Sequence, residues 1–224
     1  MLNYGKMTSY PIFKGFSAKD IECFVAASSV RVSAFGRGDI LLREGDECRK
    51  MGIIIEGSCT GETFSESGRR EITAYLGEGS VFGDVLAMSE RGISPVTVTA
   101  LTEVSVMYIP FEKLLSGQCL NSAALLKNLA AIISDKYFGL LFRVNCLSKP
   151  TLREKILFYL HEMRLEYGAA TFSIPFDRSA LADFLSADRS ALSRELSRLK
   201  KEGVIDYYKN TFILRDNKTK NKLL

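Results

Sequence analysis

Asp177–Leu199 reads DRSALADFLSADRSALSRELSRL. Leu181, Phe184 and Leu185 place one apolar stripe on a first short helix. Leu192, Leu196 and Leu199 recur at i, i+4 and i+7 and place another on a second. The intervening Ser186-Ala187-Asp188 is short enough to cross the two helices steeply, as in a helix-turn-helix. Asp188 suits the N-cap of the second helix, because its carboxylate can accept from the free amides of the next turn. On a helical wheel Ser190, Arg194, Ser197 and Arg198 lie opposite the leucines. Arg189 and Ser193 flank that face near the N-terminal end, the part of a recognition helix that reaches base edges. An arginine there can fork onto guanine O6 and N7, which is worth roughly 1–3 kcal/mol of base discrimination.

The flanking residues extend the pattern. Lys200-Lys201-Glu202-Gly203 ends the second helix with cations that suit its dipole and a glycine that suits its C-terminal cap. Val204–Tyr208, Lys209-Asn210 and Thr211–Leu214 read as a strand, a two-residue turn and a returning strand, the wing of a winged helix. Lys209 at its tip is placed to touch phosphate, and Arg178 is a second candidate backbone anchor. An amphipathic surface helix with merely solvated charges is the plain alternative. The paired helices, the small turn residues and the wing count against it.

Here the sequence resembles the Crp/Fnr family of bacterial transcription regulators. The resemblance rests on Arg178, Leu181-Ala182, Arg189-Ser190-Ala191-Leu192-Ser193-Arg194, Leu199 and Gly203-Val204-Ile205. It implies an α+β chain with an N-terminal β-roll of the double-stranded β-helix or jelly-roll type, a long dimerisation helix and a C-terminal winged helix-turn-helix. The corresponding boundaries are 1–115 for the roll, 116–147 for the dimerisation helix and 148–224 for the DNA-binding domain.

Composition agrees with that division. A chain of 224 residues with 46% apolar side chains can bury one large core or two small ones. No run of apolar residues is long enough to span a bilayer, and the start MLNYGKMTSYPIF lacks a signal pattern, so the cytoplasm is the expected compartment. Cys23, Cys48, Cys59, Cys119 and Cys146 are odd in number and form no CxxC, so structural disulfides are not expected. His161 is the single histidine, which argues against a zinc site. Residues 1–150 carry 16 Lys/Arg and 16 Asp/Glu, whereas 151–224 carry 14 and 10, so the whole net charge of +4 falls on the C-terminal part. That is where phosphate contacts would be wanted.

Ser17-Ala18-Lys19-Asp20 opens a short helix with Ile21, Phe24 and Val25 on one side. Between Val30 and Pro110, short apolar runs alternate with turns: Asp39–Leu42, Gly52–Glu56, Glu71–Leu76, Val96–Ala100 and Val104–Ile109. Such close spacing indicates a sandwich or barrel, and a roll of the cyclic-nucleotide-binding type fits it. By the resemblance, Gly83-Asp84 stand where cyclic-nucleotide-binding members begin the phosphate–ribose cassette, with Asp replacing the usual Glu. About eleven residues on, the family places Arg-Ser against the cyclic phosphate, and this chain has Ser94-Pro95 followed by Val96-Thr97. The neutralising arginine is absent and proline removes an amide donor. The expected effector pocket is therefore Gly83, Asp84, Ser94, Pro95 and Thr97, serving a small molecule other than cyclic AMP. Arg91 as a substitute cation would instead give a cyclic-nucleotide site of non-standard form. A roll that binds nothing and only packs on the long helix is the third reading.

A helix from about Asn121 to Leu147 carries Leu125, Leu129, Ile132, Ile133, Leu140, Leu141 and Val144 near one stripe that only Lys136 breaks. Phe138 and Phe142 widen it. It predicts a two-chain seam on one side and packing on the roll on another. Lys149-Pro150 marks a hinge, and Thr151-Leu152-Arg153-Glu154 a capping box that opens the next helix. A short strand falls within Ala169–Phe176, and the basic tail after Arg215 adds weak attraction for DNA.

The expected function is a homodimeric, sequence-specific regulator that reads a two-fold symmetric site in double-stranded DNA. Arg189, Ser190, Ser193 and Arg194 would serve bases and nearby phosphates. Partners are DNA, a second copy and, by the resemblance, RNA polymerase. No metal, cofactor or membrane is expected, apart from the effector. A redox-responsive regulator using an exposed cysteine such as Cys48 or Cys119 is the alternative. An enzyme is not supported, since no P-loop, nucleophile–base set or metal cluster is present in the sequence.

Overall fold

A computed structural model describes residues 2–28, 30–64, 70–116 and 121–215. Cys119 and the tail beyond Arg215 lie outside these. The chain forms two compact units, one ending at Asp135 and the other beginning at Lys136. The fold is α+β.

The first unit opens with α1 (Tyr4–Met7), a 3-10 turn at Pro11–Phe13 and α2 (Ala18–Ala27). Ser17 and Asp20 form the reciprocal capping box that starts α2. Then come β1 (Arg31–Phe35), β2 (Ile40–Leu42), β3 (Lys50–Glu56), β4 (Cys59–Phe64), β5 (Arg70–Leu76), β6 (Val81–Phe82), α3 (Asp84–Met88), β7 (Thr97–Ala100), β8 (Val104–Pro110) and α4 (Phe111–Leu115). Two four-stranded antiparallel sheets result, ordered β1-β8-β3-β6 and β2-β7-β4-β5. Ile54, Phe82, Val98, Val104 and Val106 form one core between strands. Met51, Ile53, Met107 and Ile109 join Ile12, Phe13, Ile21 and Phe24 of the N-terminal segment in another. The turn pairs at Gly38 and Gly45 hold φ of +89° and +87°, which glycine adopts without steric cost.

Helix α5 (Ser122–Leu147) begins in this unit and ends in the next. Leu125 and Leu129 are buried in the first unit's core, and Asn128 donates to the carbonyls of Ile12 and Lys14 at 3.0 and 2.9 Å. The start of the apolar stripe thus packs on its own chain. Tyr137, Phe138, Leu140, Leu141 and Val144 further along are all exposed.

The second unit continues with α6 (Leu152–Tyr167), β9 (Thr171–Ser173), α7 (Arg178–Phe184), α8 (Arg189–Lys201), β10 (Ile205–Tyr208) and β11 (Thr211–Leu214). Thr151 and Glu154 make the capping box of α6. The sheet order is β10-β11-β9, and the hairpin pairs Tyr208 with Thr211 across Lys209-Asn210. The core joins Ile156, Tyr159 and Leu160 of α6 to Leu181 and Leu185 and to Leu192, Leu196 and Leu199. Phe142, Phe176 and Phe184 surround Tyr159, and Phe158 packs on Phe142, with ring centroids 5.1–6.1 Å apart. No helix among the described residues is long and apolar enough to cross a membrane.

Candidate nucleic-acid interface and effector pocket

Helices α7 and α8 are joined by a turn in which Ser186 takes φ of +49°. The Ala187 amide donates back to the Ala182 carbonyl at 2.9 Å, which closes the turn. Asp188 then caps α8: its Oδ1 accepts from the amides of Ser190 and Ala191 at 2.8 and 3.1 Å. The same oxygen accepts the Ser190 hydroxyl at 2.5 Å, and Arg194 Nη1 donates to Ser190 Oγ at 3.1 Å. These contacts, the serine hydroxyl first, hold the Asp188 carboxyl below the usual carboxylate range. At the far end Gly203, with φ of +72°, donates to Lys200 O, and Val204 donates to Leu199 O, the paired bonds of a Schellman cap.

The leucine stripe of α8 is fully buried, each side chain contributing roughly 1.5–3 kcal/mol. Arg189, Ser190, Ser193, Arg194, Ser197 and Arg198 are all exposed, so the structure brings the expected reading residues onto one accessible surface. Ser193 Oγ donates to the Arg189 carbonyl and Ser197 Oγ to the Ser193 carbonyl, both at 2.9 Å. Arg153 of α6 braces the opposite edge of α8 through Glu195 at 3.3 Å and Glu202 at 2.5 Å. Sequence reading did not find this brace, because its partners lie 42 and 49 residues away.

Two anchor candidates meet at the wing. Lys209 is exposed at the tip, with φ of +51°. Arg178 points its guanidinium into the unit: Nη2 donates to the Lys209 carbonyl at 2.8 Å, and the group stacks over Tyr207 and Phe212 at 4.8 and 5.1 Å. Its Nη1 is buried. Desolvation lowers its pKa, offset in part by Tyr207. The side chain expected to grip phosphate is bonded to the wing tip.

The expected effector residues gather around the loop from Arg43 to Lys50. Gly83, with φ of +70°, caps α3 so closely to that loop that a Cβ would lie 2.7 Å from Lys50 O and 2.9 Å from Cys48 Sγ. Asp84 is buried beside it. Ser94 is buried; its hydroxyl donates to Val96 O at 2.7 Å, and its backbone pairs with Gly45 and Asp46. Thr97 Oγ1 accepts the Glu44 amide at 3.1 Å, while Pro95 is exposed. Arg49, unnoticed in the sequence, pairs with Glu47 at 2.7 Å and donates to the carbonyls of Ser89 and Glu90 at 3.1 and 3.3 Å. A cleft of about 520 Å³ opens elsewhere in this unit, between Lys6, Tyr10, Val32, Glu56 and Ser105.

The expectation of an exposed Cys48 is overturned. Its amide donates to Gly92 O at 2.7 Å and its thiol to Lys50 O at 3.2 Å, which folds the side chain under Gly83, where it is buried. Burial pushes the thiols of Cys59 and Cys146 up to about 11.

Residues 32–117 match the model of the cyclic nucleotide-binding domain, and residues 154–218 match that of the Crp-like helix-turn-helix domain. The chain belongs to the Crp/Fnr family of transcription regulators. Among Crp/Fnr relatives, it is 29% identical over 180 residues to the regulatory protein HlyX of Actinobacillus pleuropneumoniae, covering 75% of this chain and 71% of that one. It is 26% identical over 175 residues to the transcriptional activator protein FnrA of Stutzerimonas stutzeri, covering 76% and 70%. The catabolite activator protein of Thermus thermophilus shares the Crp/Fnr fold, with a TM-score of 0.55 at 21% identity over 92% of this chain and 94% of that one.

Proposed function

We propose that this Crp/Fnr regulator acts in the cytoplasm as a homodimer on a two-fold symmetric DNA site, controlled by a small molecule other than cyclic AMP in its β-roll. The observation that carries the DNA reading is the division of labour on α8. Its leucines are spent inside the unit, and Arg189, Ser190, Ser193 and Arg194 remain outside. Lys209 supplies a backbone anchor, and Arg178 acts by holding the wing. The roll is 1–115, the dimerisation helix 116–147 and the DNA-binding domain 148–224. The exposed apolar run Tyr137, Phe138, Leu140, Leu141 and Val144 supports a seam with a second copy. RNA polymerase is a further partner. No catalytic role is proposed.

The effector reading is supported by hydroxyls already in use. Ser94 and Thr97 are bonded to backbone, Pro95 has no amide, and the nearby Arg49 is held by Glu47 and two carbonyls. The one cation among these four groups, Arg49, is already ion-paired with Glu47 and has three of its five N–H bonds in use, so a cyclic phosphate would have to compete for it. The test has two parts. Enrichment of random duplex DNA by the full chain should yield a palindrome whose half-sites lie about one helical turn apart. Millimolar cyclic AMP should leave the melting temperature unchanged. A stabilisation near the roughly 4 kcal/mol expected at a thousand times Kd would overturn the effector reading and favour a phosphate site built on the exposed Arg91.

A further inference from the structure

We propose that Asp188 is a positioning residue for base recognition: by accepting the Ser190 proton it turns that hydroxyl into a pure acceptor and steadies Arg194 across the reading face. The inference rests on the DNA-reading role proposed for α8 and deepens it.

A serine hydroxyl has one proton and two lone pairs. Ser190 Oγ lies 2.5 Å from Asp188 Oδ1, an oxygen that can only accept, so the proton is there. Arg194 Nη1 approaches the same Oγ at 3.1 Å and can only donate, so one lone pair is taken. A single lone pair is left. Ser190 is therefore able to accept from a base but unable to donate to one.

The base edges that can use it carry an exocyclic amino group, cytosine N4 or adenine N6. Guanine O6 and N7 and thymine O4 cannot. Ser193 follows the same rule more loosely, its proton resting on the neutral Arg189 carbonyl at 2.9 Å. The surface therefore presents lone pairs beside a donor fork. Arg194 suits guanine, and its serine neighbour suits an adjacent amino-bearing base.

The arrangement also steadies the arginine. A long flexible side chain loses rotamer freedom when it meets a base. Arg194 is already tied to its own helix four residues back, and the charge of Asp188 reinforces the tie. Part of that ordering is complete before DNA arrives.

The experiment separates positioning from capping. Asn, Asp and Ser are nearly equal as N-caps. Asp188→Asn keeps an amide oxygen that can take the Ser190 proton, whereas Asp188→Ser keeps a cap whose oxygen lies one bond nearer the backbone and carries a proton of its own that can turn toward Ser190. The full chain and both variants, with Ser190→Ala as reference, are each used to enrich a random duplex library at one fixed salt concentration. Thermal melts confirm that all are folded.

The wild type should enrich guanine beside a base pair of one fixed orientation, its adenine N6 or cytosine N4 toward Ser190, and Asp188→Asn should enrich the same pair. Asp188→Ser and Ser190→Ala should lose the amino preference and weaken the guanine preference roughly fivefold or more, within the 1–3 kcal/mol range of a bidentate pair. Equal preferences in wild type, Asp188→Asn and Asp188→Ser would overturn the inference while leaving the DNA reading intact. A base-pair preference beside the guanine that Ser190→Ala leaves unchanged would do the same. A wild type that enriches no sequence would overturn the DNA reading itself, and the inference with it.

Discussion

Arg178→Ala distinguishes a wing brace from a phosphate anchor, and stability without DNA is the quantity that tells them apart. The substitution removes a charged donor to the Lys209 carbonyl at 2.8 Å, which is worth roughly 1.5–3 kcal/mol. It also removes stacking on Tyr207 and Phe212, worth about 0.5–2 kcal/mol. Against these stands the cost of desolvating the guanidinium, which is relieved when it is deleted. The net expectation is a loss of about 1–2 kcal/mol. For a unit of this size each kcal/mol shifts Tm by roughly 4–8 °C. Deleting a solvent-facing phosphate anchor would change stability by under about 0.5 kcal/mol. The assay is thermal and urea unfolding of the DNA-free full chain, with amide exchange followed at β10 and β11. An unchanged transition with unchanged exchange at the hairpin would refute the bracing role and return Arg178 to the DNA backbone.

Other expectations follow from the same structure. Lys209→Ala should weaken binding evenly across sequences and lower the salt slope by about one unit per half-site, read by fluorescence anisotropy at several salt concentrations. Thr151→Ala removes the hydroxyl that caps the Glu154 amide of α6, leaves the Thr151 amide's own bond to Glu154, and should cost about 1 kcal/mol in a urea melt. The carboxyls of Glu202 and Asp206 are held low chiefly by side-chain bonds from Arg153 and Lys200, so they favour folding above their ordinary range. That contribution should fade as pH falls from about 4.5 through the lowered values, and Asp206→Asn should flatten the decline in an acid titration by circular dichroism. Cys59 and Cys146 should resist alkylation at neutral pH in the native protein, because burial holds their thiols up to about 11, and should react on unfolding.

The winged helix-turn-helix was legible because its signals are local. Helical periodicity, the Asp188 cap, Gly203 and the Lys209-Asn210 turn each act within a few residues. The roll was legible as a run of strands, yet β4 was missed. Its sequence Cys-Thr-Gly-Glu-Thr-Phe shows neither alternation nor a continuous apolar run, and it is held by pairing on both sides to β5 and β7. The 3-10 turn at Pro11–Phe13 gave no periodic signal either, although Ile12 and Phe13 are fully buried. At the site, residue types and exposure on α8 could be read from the helical wheel, but the distant partners of Arg178 and Thr97 could not. Lys209 O lies 31 residues from Arg178 and the Glu44 amide 53 from Thr97. Ser190 shows the opposite case. Its bond to Asp188 spans two residues, so the motif itself held the clue once the cap was counted atom by atom.

The most direct test of the central claim is the affinity ratio between the enriched duplex and a scrambled one, for wild type and Arg194→Ala, at one salt concentration. Wild type should prefer the enriched duplex by a thousandfold or more, on the order expected of a specific site. Arg194→Ala should remain folded and lose most of that preference. An Arg194→Ala protein that keeps the full ratio would contradict the assignment of α8 as the reading helix.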